Sequence, residues 1–122
     1  MRIYTKEVNA LDYRVLKDGV EVKAGACLKM AEGGLVLCSA TDKPEYISNI
    51  TTVGDGNVIP VDKITPDAVI TGELESAITD ISVGAKLALS ADGTMIVSGD
   101  GALEVVSFEG TDTDARVICV VK

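Results

Sequence analysis

VKAGACLKMAEGGLVLCSATDKPEYIS (22–48) and ISVGAKLALSADGTMIVSGDGALEVVS (81–107) fall on one another when the chain is slid by 59 residues. The match runs on without a gap until NVIPVDK (57–63) meets RVICVVK (116–122). Of the 42 aligned pairs, 13 are identical, among them Gly25 and Gly84, Leu28 and Leu87, Gly34 and Gly93, and Val61 and Val120. Self-similarity at a fixed period marks a repeated structural unit. The chain reads as a tandem duplication.

Both copies share a local grammar. A Gly-Ala turn enters a strand, LKM or LAL, and a tight Gly-containing turn follows, AEGG or SADG. Glycine supplies the positive φ that hairpin turns demand. LVLC or MIV returns, EYIS or EVVS follows after a polar loop, and NVIPV or RVICV closes the unit. β-branched residues crowd these short runs, as strands require. The expected fold is all-β: a compact barrel or sandwich of short strands. The stretch 64–80 has some helical spacing after Thr65-Pro66-Asp67, but its counterpart in the first copy carries Asp18-Gly19, which breaks a helix. AVITGEL (68–74) is therefore read as a strand.

The domain organisation follows. The reading is one domain over 1–122, with an N-terminal arm 1–13, repeat one over about 14–63 and repeat two over about 73–122. A unit this small buries too little apolar surface to stand comfortably alone. The two pseudo-repeats are thus expected to share one core about a pseudo-twofold axis. The unbroken apolar runs LVLC and VICVV are expected to be covered on both faces.

Composition narrows the function. The net charge is −8, with six Lys and Arg against four Asp and Glu over residues 1–30 and five against fifteen over the rest. Phosphate backbones attract cations, so an acidic body argues against a nucleic-acid partner. Aromatic residues are confined to Tyr4, Tyr13, Tyr46 and Phe108, too few for a base-stacking platform. No apolar run approaches the ~18 residues of a membrane helix, and MRIYTKEVNALDYRVLKDG lacks the apolar stretch of a secretory signal. The expectation is synthesis in a cytosol, with no membrane partner.

No catalytic constellation is legible. Histidine, the commonest general base and metal ligand, is absent. Cys27, Cys38 and Cys119 sit in apolar runs and form no CxxC pair, so they are expected to be buried free thiols. TDTDA (111–115), GDGN (54–57) and SGDGA (98–102) offer oxygens, but none has the spacing of a calcium loop. ACLKM (26–30) invites comparison with biotinyl carrier domains, yet Lys29 falls inside a strand with its turn still ahead. No glycine-rich loop leads from a strand into a helix to cradle phosphate. The expectation is a non-enzyme without cofactor or metal.

VEVKAGACLKMAEGGLVLCSATDKPEYIS, IPVDKITPDAVITGEL and ISVGAKLALSADGTMIV through RVICVVK resemble bacteriophage capsid decoration, or head-stabilising cement, proteins. The shared pattern is V-x-x-G-x-x-L followed by strand-and-turn segments, and it spans nearly the whole chain. The resemblance implies a virion structural protein that binds the outer surface of the assembled head, with the major capsid protein as partner and a homo-oligomer, a trimer by analogy. It also implies shell contact through the N-terminal arm, for which Arg2, Tyr4 and Lys6 are the candidates. The alternatives are another virion or bacterial surface β module, such as a tail, baseplate or surface-layer piece, and a small-molecule or carrier domain.

Overall fold

The computed structural model describes residues 1–3, 11–66 and 68–122. Along the chain run β1 (Arg2–Ile3), β2 (Leu11–Val15), β3 (Glu21–Val22), β4 (Cys27–Ala31), β5 (Gly34–Leu37), β6 (Tyr46–Ser48) and β7 (Thr52–Val53). They are followed by β8 (Val58–Lys63), β9 (Val69–Glu73), β10 (Lys86–Leu89), β11 (Ile96–Ser98), β12 (Leu103–Phe108) and β13 (Arg116–Val121). The fold is all-β, and no helix occurs among the described residues. AVITGEL supplies β9.

Two sheets and a ribbon result. The first sheet has the order β2-β8-β6-β4-β5, the second β1-β9-β13-β12-β10-β11, and β3 pairs with β7. Setting β1 aside, the two orders correspond strand for strand. All the pairings within these sheets are antiparallel. Each sheet curls until its ends touch through one parallel bridge, Leu16 with Leu35 in the first and Leu74 with Ile96 in the second. Neither bridge grows into a ladder, so the architecture is a pair of curled sheets packed as a sandwich, not a closed barrel. Gly34 permits the first closure: at φ 137° an added Cβ would stand 2.7 Å from the Val15 carbonyl oxygen. Pro60 sits in β8, an interior strand between β2 and β6, because its carbonyl faces the Asn49 amide, past the end of β6, where no strand asks for its missing N–H.

The ungapped sequence match is not the spatial one. It aligns Val58 with Val117 and Ile59 with Ile118, yet Val58 is exposed and Val117 fully buried, whereas Ile59 is buried and Ile118 is not. Arg14 faces Ile59 across β2 and β8, but Glu73 faces Arg116 and Thr71 faces Ile118 across β9 and β13. Two local features redistribute residues. The first hairpin turns through Glu32 and Gly33 between the paired Ala31 and Gly34, whereas the second needs Ser90–Met95 between Leu89 and Ile96. A bulge between Val105 and Ser107 then shifts β12 against β13. A one-residue slip exchanges the faces of a strand, which accounts for the inverted burial. The sheets also begin outside the boundaries read from the repeat: β2 opens within the stretch taken as arm, and β9 starts at Val69 rather than 73.

The interior divides in two. Leu16, Val22, Leu28, Leu35, Tyr46, Ile59 and Val61 fill the first curled sheet under the β3–β7 ribbon. Ile70, Leu74, Leu87, Leu89, Ile96, Leu103, Val105, Val117 and Cys119 fill the second, together with Cys27, Cys38 and Ile47 from the first unit. Sharing is therefore one-sided. β6 and the Leu87–Leu89 part of β10 are buried on both faces, whereas LVLC and VICVV, expected to be, keep half-exposed residues at Val36, Leu37, Ile118 and Val120.

The units are joined by the Ser90–Met95 turn. The Cys27 amide donates to the Gly93 carbonyl at 2.8 Å, and Ala40 and Leu89 exchange both backbone hydrogen bonds at 2.9 Å. Gly93 has φ +71°, and a Cβ there would meet the carbonyl oxygens of Cys38 at 2.7 Å and Cys27 at 3.0 Å. Gly84, at φ +88°, has nothing within 4 Å. Gly84→Ala should therefore lose only the left-handed backbone preference, about 1–2 kcal/mol. Gly93→Ala should lose that and a further ~1–3 kcal/mol of overpacking. Urea unfolding of both variants measures the difference, and equal losses would contradict the close approach.

Candidate functional site

The turn that joins the units is organised by one carboxylate. Asp92 Oδ1 accepts from the Ser90 hydroxyl at 3.0 Å, the Thr94 amide at 3.1 Å and the Thr94 hydroxyl at 2.6 Å. The Ser90 hydroxyl in turn accepts from the Met95 amide at 3.0 Å, and Asp92 Oδ2 lies 3.7 Å from Lys23 Nζ. These donors, the Thr94 hydroxyl foremost, hold the Asp92 carboxyl below the ordinary carboxylate range. A second carboxylate, Asp42, is held low by Lys29 Nζ at 2.9 Å and by the Ser39 amide at 3.1 Å. Lys29 thus lies mid-strand in β4, opposite Val36, tied to a neighbouring loop.

The three cysteines are free and buried. Burial pushes each thiol up to about 12, so the thiolate that would act as nucleophile or ligand is scarce at neutral pH. Among the described residues no three Cys, Asp or Glu side chains converge on a metal-sized point. In GDGN, Asp55 Oδ1 accepts from the Asn57 amide at 3.1 Å, a turn-forming bond.

Two of the surface hollows among the described residues border the joining turn. A groove of about 790 Å³ lies between the β3–β7 ribbon and the joining turn, lined by Val20, Val22, Leu37, Val53, Ala91 and the Lys23–Asp92 pair. A second, of about 480 Å³, is lined in part by Met1, Gly25, Thr71, Thr94 and Arg116. The Thr71 hydroxyl there is buried without a hydrogen-bond partner. Met1 is anchored beside it, its α-ammonium donating to the Gly25 carbonyl at 2.6 Å.

Of the proposed contact residues, Arg2 belongs to β1, whose backbone pairs with Thr71 and Ile70 of β9. Tyr4 and Lys6 lie outside the described residues. Sequence reasoning missed a different surface. Leu11, Tyr13 and Val15 alternate along β2 and are 54%, 56% and 37% exposed, and Val58, opposite Val15, is 57% exposed. The signal was available in LDYRV, an alternating strand whose apolar residues fall on one face, but the boundary drawn between arm and repeat one cut it after Tyr13.

Compared with family models, curated proteins and solved structures, the chain finds no match in any of the three.

Asp92 gives the turn a pH dependence. A carboxyl whose folded value lies below its unfolded value stabilises fully above the unfolded value, near 4, and loses that contribution as pH falls through the folded one. Asp92→Asn should lower the urea midpoint at pH 7 and flatten the decline of stability below about pH 5. A variant whose acid profile parallels the parent's would contradict the role given to this carboxylate.

Proposed function

We propose that this chain is a non-enzymatic structural protein of a phage particle, which binds the outer surface of the assembled head and stabilises it. The observation that carries the reading is the build. Two like-ordered sheets are tied by backbone bonds, and the ionisable groups with displaced pKa values sit in structural turns, ion pairs and core positions. A binding module needs a rigid scaffold and an accessible apolar surface, and the β2 face offers one. The strand-and-turn pattern that resembles decoration proteins falls on β3 through β6, β8 through β9 and β10 through β13. Arg2, Tyr4 and Lys6 remain the proposed shell contacts, with the major capsid protein as partner.

The physical effect is linkage. A protein that binds only the assembled lattice stabilises it by about 2.7 kcal/mol per site when present at a hundred times its Kd, and many weak sites add. Purified protein should co-sediment with mature heads encoded by its own gene cluster and raise their resistance to heat or to chelator. Heads that neither bind it nor gain resistance would refute the reading.

A second reading, a small-molecule module, is favoured by the apolar groove beside the β3–β7 ribbon, whose volume lies in the range of ligand sites. Under it, an environment-sensitive apolar dye should bind the native protein and be weakened by Val22→Asp. Dye fluorescence indistinguishable from buffer would dismiss it.

A further inference from the structure

The two sheets differ at one position. Three residues before the closing bridges stand Tyr13 in the first sheet and Thr71 in the second. On the second sheet β1 lies along the outer edge there, paired with Ile70 and Thr71. On the first sheet, among the described residues, no strand pairs with the corresponding edge of β2. The edge is instead capped from within. The Tyr13 amide donates to Asp12 Oδ1 at 2.8 Å, and Arg14 Nη1 donates to the Tyr13 carbonyl at 3.0 Å. Asp12 and Arg14 complete the cap with an ion pair at 2.9 Å, and Arg14 also lies 5.8 Å from the centre of the Tyr46 ring.

We propose that this edge is a contact between two copies of the chain, with β2 of one pairing antiparallel to β2 of the other about a twofold axis at Tyr13. The choice of occupant rests on complementarity. Leu11-Asp12-Tyr13-Arg14-Val15 is chemically symmetric about its centre when read against a reversed copy of itself. In that register Tyr13 exchanges its N–H and C=O with the partner's Tyr13. Asp12 faces the partner's Arg14 and Arg14 the partner's Asp12, so the two intramolecular ion pairs, one in each copy, are exchanged for two intermolecular ones. Leu11 faces the partner's Val15 on the other side, which covers the exposed apolar strip of β2. Opposite charges directly across a strand pair are stabilising and like charges destabilising. The internal cap is a half-exposed pair screened by solvent and of small worth, so opening it costs little.

The contact is small, below the ~1,200 Å² of stable interfaces, and the net charge of −8 on each copy opposes it. It is a weak twofold contact, one that gains strength when copies are held close together. It does not depend on the proposed binding to a phage head.

Sedimentation velocity at rising concentration and roughly 0.15 M salt, where distant charges are screened, tests it with charge exchanges. The wild-type chain should pass from monomer to dimer. Asp12→Arg and Arg14→Asp should each weaken dimerisation about tenfold or more, because each sets like charges opposite one another. The double variant D12R/R14D should recover it. An equimolar mixture of the two single variants should form heterodimers, since each charge again meets its opposite. Circular dichroism of the single variants, matching the parent, establishes that they fold, and heterodimer formation from the mixture reports the contact even if either is partly unfolded alone. A wild-type chain that stays monomeric to about 1 mM, a dimer or trimer indifferent to the exchanges, or a mixture that fails to associate would each overturn the proposal.

Discussion

The hydrogen bond from the Cys27 amide to the Gly93 carbonyl, 2.8 Å long, is the point at which two small curled sheets become one body. A strand that opens onto another unit must place its backbone donors somewhere, because a buried unsatisfied N–H is costly. Here the Ser90–Met95 turn comes to β4, and everything about the turn serves that approach. Gly93 has no Cβ to strike the Cys27 and Cys38 carbonyls, and Asp92 collects three donors that hold the turn's shape. Ala40 and Leu89 extend the junction by exchanging backbone bonds.

The same constraint explains the unequal interiors. Cys27 and Ile47, paired across the strands, face away from the first unit's own interior, and Leu28 and Tyr46, the next pair along the same two strands, face into it. The first sheet therefore lends one face to the second core while filling its own with the other. A unit of this size gains the burial it lacks by such lending. The apolar run that is covered on both sides is then the one at the junction, not the one with the most apolar letters.

Much of the fold was legible because local chemistry and global arrangement agree. Gly25, Gly34, Gly84 and Gly93 mark turns or close approaches with positive φ, and the β-branched runs between them became strands in one common order. The register was not legible. Val58 and Val117 are identical in type, so sequence comparison pairs them, yet they face opposite ways because the second hairpin turn is longer and β12 carries a bulge. Side-chain identity carries no record of how a fixed number of residues is shared between turn and strand. The surface was hidden for a different reason. Residues 11–13 were assigned to an arm by their place in the chain, although LDYRV already alternates as a strand does. Of the three residues put forward for contact, Arg2 stands on the sheet edge beside β9, and the apolar face of β2 was found only from its exposure.

Native-state hydrogen exchange of the Cys27, Ala40 and Leu89 amides tests the central claim, that the joining turn makes the two sheets a single cooperative unit. The account predicts that these amides exchange only through the global opening that also releases the central strands β6 and β12. Rapid exchange at Cys27, Ala40 and Leu89 while both central strands stay protected would contradict it.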